Sequence, residues 1–355
     1  MMQIEEQRFL FLYTRLPEYF YQCILQLVQR NGGQAKALIY CYPKDANAPY
    51  ELSSLNGNIT VCTKEQLDLQ AIAEFNPSLI YIAGWGDKTY NRIASSFGGS
   101  IPVIIGMDNP WKGTIRQRIA SIVGRLWLKK MATFIWIPGY PQFEFGRRLG
   151  FHPSRILKGL YCADVEPYES LPVTFHKRIL FVGRLVDFKR PDWVLEAFSN
   201  IIKQYPALAD WKLTLVGNGP MEKELRARYG QIPQIEFVPF VQPNLLPAYY
   251  ESAGVFCLPS DNEHWGVVVH EAASAGLSLL LSDTCGAATE FLIPTFNGLI
   301  FKSLSSSDFQ NRLFQLLSLP ESELLEMGKN SRIIARRVNK EMWVSTILGS
   351  LENKS

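Results

Sequence analysis

Two positively charged residues, Arg184 and Lys189, lie five residues apart beside Gly183. Their segment follows the apolar run Ile179–Val182 and precedes a helical pattern that begins at Pro191. Both cations are therefore expected in a loop at the carboxyl end of a strand, where a backbone turn and positive charge together suit an anion. Ordinary solvated loop charges are the alternative interpretation.

Two carboxylates, Glu263 and Glu271, flank another junction between a loop and a helix. The polar segment Pro259–Trp265 leads into a helix predicted to begin near Gly266 and to end at Gly276, where glycine can take the left-handed conformation. Glu263 then lies just outside the helix N-terminus and Glu271 about one and a half turns inside it. The free N–H groups of that terminus suit a diphosphate, and the carboxylates suit sugar hydroxyls. Alternatively, the helix dipole favours Glu263 at a cap, and Glu271 is a solvated helix residue.

A further glycine-rich turn, Val216–Pro220, follows a third apolar run. It contains Gly217 and Gly219 but lacks the third glycine and the downstream acid of a dinucleotide-binding motif. We interpret it as a tight turn at which the backbone approaches a ligand. A dinucleotide-dependent oxidoreductase, which two parallel-sheet domains would also accommodate, is correspondingly disfavoured.

The elements that must position these loops alternate between strands and helices along the whole chain. Such alternation predicts parallel βαβ units, and hence an α/β fold of two tandem doubly wound Rossmann-like domains that face a central cleft. Predicted strands are Phe9–Tyr13, Lys36–Cys41, Ile59–Cys62, Leu79–Ala83, Pro102–Gly106, Thr133–Ile137, Ile179–Val182, Lys212–Val216, Ile235–Val238, Val255–Leu258 and Leu277–Leu281. Predicted helices include Pro17–Arg30, Glu65–Phe75, Pro191–Tyr205, Pro220–Tyr229, Leu245–Ala253 and Glu321–Glu326.

Length and composition agree with two globular domains. The chain has 355 residues, 47% hydrophobic and 19% charged, enough apolar surface for two cores. We expect an N-terminal domain at 1–165, a C-terminal domain at 176–335, and a helix within 336–355 that packs back on the N-terminal domain through Trp343.

Neither a membrane span nor an export signal is predicted. The longest uncharged stretch, Ile93–Met107, is too short and is broken by glycine and proline. Glu5 and Glu6 precede the first apolar run, whereas a signal peptide begins with basic residues. We therefore expect a cytoplasmic location.

The numbers of cysteine and histidine residues and the overall charge disfavour disulfide-rich, metal-binding and nucleic-acid-binding proteins. The 6 cysteines form no CxxC pair and only 4 histidines are present, so neither a disulfide framework nor a metal site is predicted. Residues 1–160 carry 18 Lys and Arg against 11 Asp and Glu, and residues 161–355 carry 18 against 22. The overall charge of +3 is modest and no nucleic-acid-binding motif is present, so a nucleic-acid partner is not expected.

Taken together, these motifs resemble the retaining, nucleotide-sugar-dependent glycosyltransferases of family 4, which have the two-domain GT-B fold. The resemblance extends over most of residues 178–302. It is carried by Val182–Lys189, Val216–Pro220, Leu258–Ser260 and the E-x7-E spacing of Glu263–Glu271, with similar later turns at Cys285–Glu290 and Phe296–Leu299. The N-terminal half is less alike, since Thr14–Pro17 replaces a frequent Gly-Gly pair and Gly106–Asn109 stands where many members have a histidine.

The resemblance implies that the domain at 1–165 binds the acceptor and the domain at 176–335 binds the nucleotide sugar, and it implies a role for each matching residue. Arg184 and Lys189 would neutralise the diphosphate of a UDP- or GDP-sugar, Glu271 would hold the ribose, and Glu263 would contact the donor sugar near the reacting carbon. The nucleotide-sugar site would be completed by backbone groups of Gly183, Gly217, Gly266, Val267 and Val268. Because the sequence contains no Asp-x-Asp, neither a metal ion nor another cofactor is expected.

The implied activity is retaining transfer of a sugar to a glycan or lipid-linked acceptor, in the biosynthesis of a surface polysaccharide or lipopolysaccharide. A catalytically impaired nucleotide-sugar-binding protein of the same fold is the alternative. On the acceptor side, Asp108 follows the predicted strand Pro102–Gly106 and would take the place of the family's histidine. Its alternative role is to cap a helix that begins beyond Pro110.

The stretch from Lys112 to Lys130 predicts a basic amphipathic helix, because it contains no acidic residue. We expect it to bind an anionic membrane at the cytoplasmic face, with Trp127 at the interface. An ordinary domain helix with a solvated charged face is the alternative. The cations are Lys112, Arg116, Arg118, Arg125, Lys129 and Lys130, and the apolar stripe is Ile115, Ile119, Ile122, Val123 and Leu126.

Overall fold

The structure, a computed structural model, describes residues 6–30, 34–43, 51–52 and 56–352. Glu5 and the last three residues of the predicted 336–355 segment lie outside the described residues. The chain divides into two compact units, the first formed by Met1–Cys162 with Val338–Ser355 and the second by Ala163–Arg337.

Strands and helices alternate through the first unit, as the apolar pattern predicts. Asp68, Asp87 and Thr114 each cap the start of a helix, and Asp87 accepts hydrogen bonds from two backbone N–H groups. The elements are β1 (Arg8–Leu12), α1 (Glu18–Arg30), β2 (Lys36–Cys41), β3 (Ile59–Thr63), α2 (Leu69–Phe75), β4 (Leu79–Ile82), α3 (Lys88–Ser96), β5 (Val103–Gly106), α4 (Ile115–Met131), β6 (Phe134–Ile137), α5 (Phe143–Arg148) and β7 (Ile156–Lys158).

The second unit repeats the alternation, and a final helix returns to the first unit. Its elements are α6 (Glu166–Glu169), β8 (Arg178–Val182), α7 (Pro191–Gln204), β9 (Lys212–Val216), α8 (Glu222–Tyr229), β10 (Ile235–Val238), α9 (Leu246–Glu251), β11 (Val255–Leu258), α10 (Val267–Ala275), β12 (Ser278–Ser282), α11 (Ala288–Phe291), β13 (Gly298–Phe301), α12 (Ser306–Leu317) and α13 (Glu321–Ala335), followed by α14 (Lys340–Glu352). A search of the described helices finds none with the length and hydropathy of a membrane span.

Within the described residues, each unit holds one parallel sheet. The first has the order β3-β2-β1-β4-β5-β6-β7 and the second β10-β9-β8-β11-β12-β13. In each sheet the strand order reverses at the centre, between β1 and β4 and between β8 and β11. Loops leave the carboxyl ends of these central strands in opposite directions, which opens a crevice. The predicted α/β class with two doubly wound sheets is confirmed.

The last helix packs on the first unit through Trp343. The indole ring lies 5.0 Å from that of Trp136 and 5.2 Å from that of Phe20, measured between ring centroids, and its Nε1 donates to the Leu160 carbonyl at 3.1 Å. Buried aromatic groups of this size contribute strongly to a core. The C-terminal segment therefore completes the core of the N-terminal unit.

Three of the elements that differ from the sequence-based prediction are β7, β13 and α13. The edge strands β7 and β13 were not predicted, because one has only three residues and the other begins at Gly298, where the sequence favoured a turn. Helix α13 continues to Ala335, well past the predicted Glu326. Short edge strands and a helix interrupted by small residues have weak local patterns, so packing decides them.

Candidate active site

The site residues predicted from the C-terminal half lie in loops at the carboxyl edge of the second sheet. Arg184 and Lys189 follow β8, and Glu263 follows β11. Since β8 and β11 are the two strands between which the order reverses, these loops border the crevice of the second unit.

Gly217 is required for contact between two loops. A Cβ atom at this position would lie 2.1 Å from the carbonyl oxygen of Gly183, and the backbone φ is +136°. Leu185 N–H also donates to the Asn218 carbonyl at 2.9 Å. We interpreted this turn as an approach of backbone to a ligand, but the close approach in the structure is to the Gly183 loop. Gly217 thus supports the loop that carries the predicted phosphate-binding cations.

Lys189 and Glu263 form an ion pair, with 2.6 Å between Nζ and Oε2. The two side chains are 12% and 15% exposed, so the pair is mostly buried. Lys189 is thus not an ordinary solvated loop charge. Arg184, by contrast, is exposed on the same loop.

A second ion pair holds the same two loops together. Arg190, which has a left-handed backbone with φ of +52°, pairs through its guanidinium with the carboxylate of Asp261. Ser260 Oγ and Asp261 N–H both donate to the Phe188 carbonyl, at 2.9 and 2.8 Å. Sequence analysis did not identify Arg190 or Asp261, although each is a charged residue within two positions of a predicted site residue. Their ion pair joins the loops that carry Lys189 and Glu263.

Helix α10 begins beside this pair. Gly266 precedes it with a φ of +97°, a conformation that favours glycine, and Gly276 ends it with a φ of +85°, as predicted. Val267 and Val268 in the first turn are half-buried, so solvent reaches the helix N-terminus. The loop after β12 supports the approach to the helix, since Gly286 N–H donates to the Glu263 carbonyl at 3.0 Å. The first turn of α10 can therefore present backbone N–H groups to an anion.

Glu271 lies inside α10 and is half-buried, so the alternative of a solvated helix residue is wrong. Its Oε2 accepts a hydrogen bond from the Tyr250 hydroxyl at 2.8 Å. Burial raises the pKa of Glu271 to about 7, with a smaller contribution from the negative charge of Asp164, while the Tyr250 hydrogen bond opposes the increase. The carboxyl group therefore changes protonation state near neutral pH.

His270, the neighbour of Glu271, is buried and has a structural role. Its Nδ1 accepts from Ala163 N–H at 3.1 Å, which leaves Nε2 as the donor to the Ala335 carbonyl at 3.1 Å. The ring also stacks on Phe291. Within the part of the chain that the structure describes, no cluster of three His, Cys, Asp or Glu side chains could hold a metal ion.

The first unit contains a cavity of about 520 Å³ at the carboxyl edge of its own sheet. Asp108 lines it and accepts a hydrogen bond from the Tyr161 hydroxyl at 3.2 Å. Tyr13 and Tyr81 line it as well. Burial raises the pKa of all three tyrosine hydroxyls, and the Asp108 charge adds to the increase. The cavity thus offers one carboxylate among protonated hydroxyl donors.

The structure places Asp108 too early to cap a helix. Helix α4 begins at Ile115, and its cap is Thr114, whose Oγ1 accepts from Gln117 N–H at 3.3 Å. The capping alternative is therefore wrong. Sequence analysis did not identify the three tyrosines, because a tyrosine at the end of an apolar strand is indistinguishable from a core aromatic until the strands are assembled.

The sequence of the second unit matches the model of a known protein family. Residues 170–333 match the family model of glycosyl transferases group 1. The second unit is thus similar in sequence to group 1 glycosyltransferases over most of its length. The ion-paired loops and the N-terminus of α10 all lie within the matched residues.

Curated relatives match mainly over part of the chain. An uncharacterized glycosyltransferase of Haemophilus influenzae is 29% identical over 186 residues, 52% of this chain and 52% of that protein. A D-inositol 3-phosphate glycosyltransferase of Gordonia bronchialis is 26% identical over 181 residues, 48% of this chain and 39% of that protein. The matches thus span about half or less of these relatives.

Among solved structures, Anabaena HepE in complex with UDP and glucose has a TM-score of 0.71 and 15% identity. The match covers 98% of this chain and 100% of that chain. This similarity and the two parallel sheets show the GT-B fold of two Rossmann-like domains.

Proposed function

We propose that the protein is a retaining glycosyltransferase that transfers a sugar from a UDP- or GDP-sugar without a metal ion. The observation that carries the proposal is the meeting of Lys189 and Glu263 beside the accessible first turn of α10. A phosphate-binding cation, a sugar-binding carboxylate and a helix N-terminus are then adjacent. The fold shared with HepE, which was crystallised with UDP and glucose, supports a nucleoside diphosphate as the ligand.

Each residue has a defined task in the proposed reaction. Arg184, Lys189 and the backbone N–H groups of Gly266–Val268 neutralise the negative charge that grows on the departing diphosphate. Glu271 accepts hydrogen bonds from the ribose hydroxyls when it is ionised. Glu263 contacts the donor sugar. It therefore acts on the oxocarbenium-like transition state that forms at the reacting carbon.

The cavity of the first unit is the proposed acceptor site. Its tyrosine hydroxyls and Asp108 suit a polyhydroxylated ligand, because they supply both donors and an acceptor. Asp108 would orient the attacking hydroxyl in place of the family's histidine. The acceptor would be a glycan or lipid-linked sugar at the cytoplasmic face, in the synthesis of a surface polysaccharide or lipopolysaccharide.

A panel of nucleotide sugars tests this proposal, with release of nucleoside diphosphate as the measurement and EDTA as the metal control. Turnover should depend on Lys189 and survive EDTA, and the anomeric configuration of a trapped product should match that of the donor. Binding without turnover for any donor and acceptor would instead indicate the alternative, an impaired nucleotide-sugar-binding protein. Absence of binding in the whole panel would contradict both.

A further inference from the structure

Helix α4 exposes a row of apolar residues to solvent. Ile115, Ile119, Ile122 and Leu126 are 78%, 57%, 68% and 70% exposed, and they recur on one face at intervals of three and four residues. The opposite face is the one that packs, as the residues Gly124, Leu128 and Met131 are buried. With Val123, which is 49% exposed, they form the apolar stripe. Isolated exposed apolar residues are common, but a contiguous set of five marks an interaction surface.

Cations border the apolar stripe on both sides. On an ideal helix Arg118 and Arg125 flank one side of it, and Arg116 and Lys130 flank the other. No acidic residue occurs between Asp108 and Glu144 in the sequence. The charged residues of α4 are exposed, as in an ordinary domain helix, but its apolar stripe also faces water and not the core.

A basic cavity of about 660 Å³ adjoins the end of the same helix. Two of its cationic residues, Arg147 and Arg155, come from outside α4, so the positive charge of the cavity does not merely offset the dipole of that helix. None of the described residues that line it is acidic. The titratable lining residues are Arg125, Lys129 and Lys130 of α4, with Arg147, His152 and Arg155.

We propose that the apolar stripe and the basic cavity form one docking surface for an anionic phospholipid bilayer. The stripe inserts among the acyl chains, and the cavity receives a phosphate head group. Charge complementarity favours this occupant, since an anionic bilayer offers phosphates and an apolar layer together. A nucleic acid would leave the apolar stripe without a partner, and a symmetric contact with a second copy would place cations against cations.

Trp127, which we expected at the membrane interface, packs on the protein core instead. It is half-buried and packs against the core of the first unit, outside the apolar stripe. Arg116 and Gln117, in the first turn of α4, line the cavity that contains Asp108. Docking through α4 would therefore bring the proposed acceptor cavity close to the bilayer. The docking itself does not depend on the proposed glycosyl transfer.

Co-sedimentation of the full chain with vesicles, without any substrate, tests the docking surface. We expect binding to vesicles of equal parts phosphatidylcholine and phosphatidylglycerol, loss of that binding at high salt, and little binding to pure phosphatidylcholine. Ile119→Ser with Ile122→Ser should weaken binding about tenfold, as should Lys129→Glu with Lys130→Glu, because insertion and charge both contribute. Arg147→Ala should also weaken binding, because Arg147 lines the cavity that receives the head group, and unchanged binding in this variant would exclude the cavity from the docking surface.

The matched control is Lys203→Glu with Lys223→Glu, the same charge change at exposed positions of the second unit. Circular dichroism melting of each variant establishes that it is folded. Equal binding to neutral and anionic vesicles, equal loss in the control, or unchanged binding in the stripe variant would overturn the proposal. A dimer in sedimentation equilibrium that the stripe substitutions dissociate would assign the face to a second copy instead.

Discussion

Lys189 and Glu263 lie 74 residues apart in the sequence, yet their Nζ and Oε2 atoms are 2.6 Å apart. The pair connects the loops after β8 and β11, the central strands of the second sheet. The residue proposed to bind phosphate therefore neutralises the residue proposed to bind the sugar. A nucleotide sugar that enters this site must share Lys189 with Glu263.

Substitution of Lys189 should cost both stability and ligand affinity. Lys189→Ala leaves a mostly buried carboxylate unpaired, so we expect the free energy of unfolding to fall by about 2 kcal/mol. Arg184→Ala removes an exposed side chain and should change it by less than about 0.5 kcal/mol. Both variants should weaken nucleotide-sugar binding about tenfold, because each removes a charged partner of the diphosphate. Urea unfolding and isothermal titration calorimetry measure the two effects.

The double variant Lys189→Ala with Glu263→Ala provides the control for the ion pair. Its loss of stability should be smaller than the sum of the two single losses, since neither charge is left alone. Additive losses would contradict the coupling that the 2.6 Å contact implies.

Affinity for a nucleotide sugar should rise with pH through neutrality. Glu271 has a pKa of about 7 in the folded protein, above its ordinary value of 4.5, and only the ionised carboxylate accepts hydrogen bonds from both ribose hydroxyls. The diester diphosphate of the donor does not titrate in this range. We expect the dissociation constant to fall about tenfold between about pH 6 and about pH 8, and to be flat in Glu271→Gln.

The raised pKa of Glu271 also makes the free energy of unfolding depend on pH. Because the folded form binds the Glu271 proton more tightly than the unfolded chain, its contribution to stability is greatest below pH 4.5 and is lost as the pH rises through about 7. Stability relative to Glu271→Gln should therefore decline over that window. An unchanged difference would place the pKa near its ordinary value.

Asp108 and Thr114 should have separate effects. Asp108→Asn and Asp108→Ala should both slow transfer to the acceptor, because neither supplies a carboxylate to the cavity, while binding of the nucleotide sugar persists. Thr114→Ala should instead lower the free energy of unfolding by about 1 kcal/mol through loss of the α4 cap. Full acceptor transfer by Asp108→Asn would exclude a role for the charge.

Low pH should weaken the stabilising hydrogen bonds that Asp87 accepts in the first unit. Burial alone would raise the pKa of Asp87, but hydrogen bonds from Lys64, Tyr42 and two backbone N–H groups of α3 lower it to about 2. Asp87→Ala should therefore cost about 2 kcal/mol of unfolding free energy at neutral pH. That difference should shrink as the pH falls from about 4 to about 2, because the carboxylate becomes protonated. The exposed Asp210→Ala, in a surface ion pair with Lys177, is the control.

Local sequence alone determined the alternation of strands and helices, the loops that hold Arg184, Lys189 and Glu263, and the start and end of α10. Apolar runs of four or five residues, helical spacing and glycine conformations are short-range properties, so they can be inferred without the partner elements. The weak edge strands β7 and β13 lacked such a pattern and were missed.

The tertiary structure decided which of these residues meet. The pairing of Lys189 with Glu263, and the gathering of Tyr13, Tyr81 and Tyr161 at Asp108, depend on strand order, which long-range packing sets. Helical periodicity likewise revealed the apolar stripe of α4 but could not say which way it faces. The stripe faces water because the opposite face of α4, formed by Gly124, Leu128 and Met131, packs on the core.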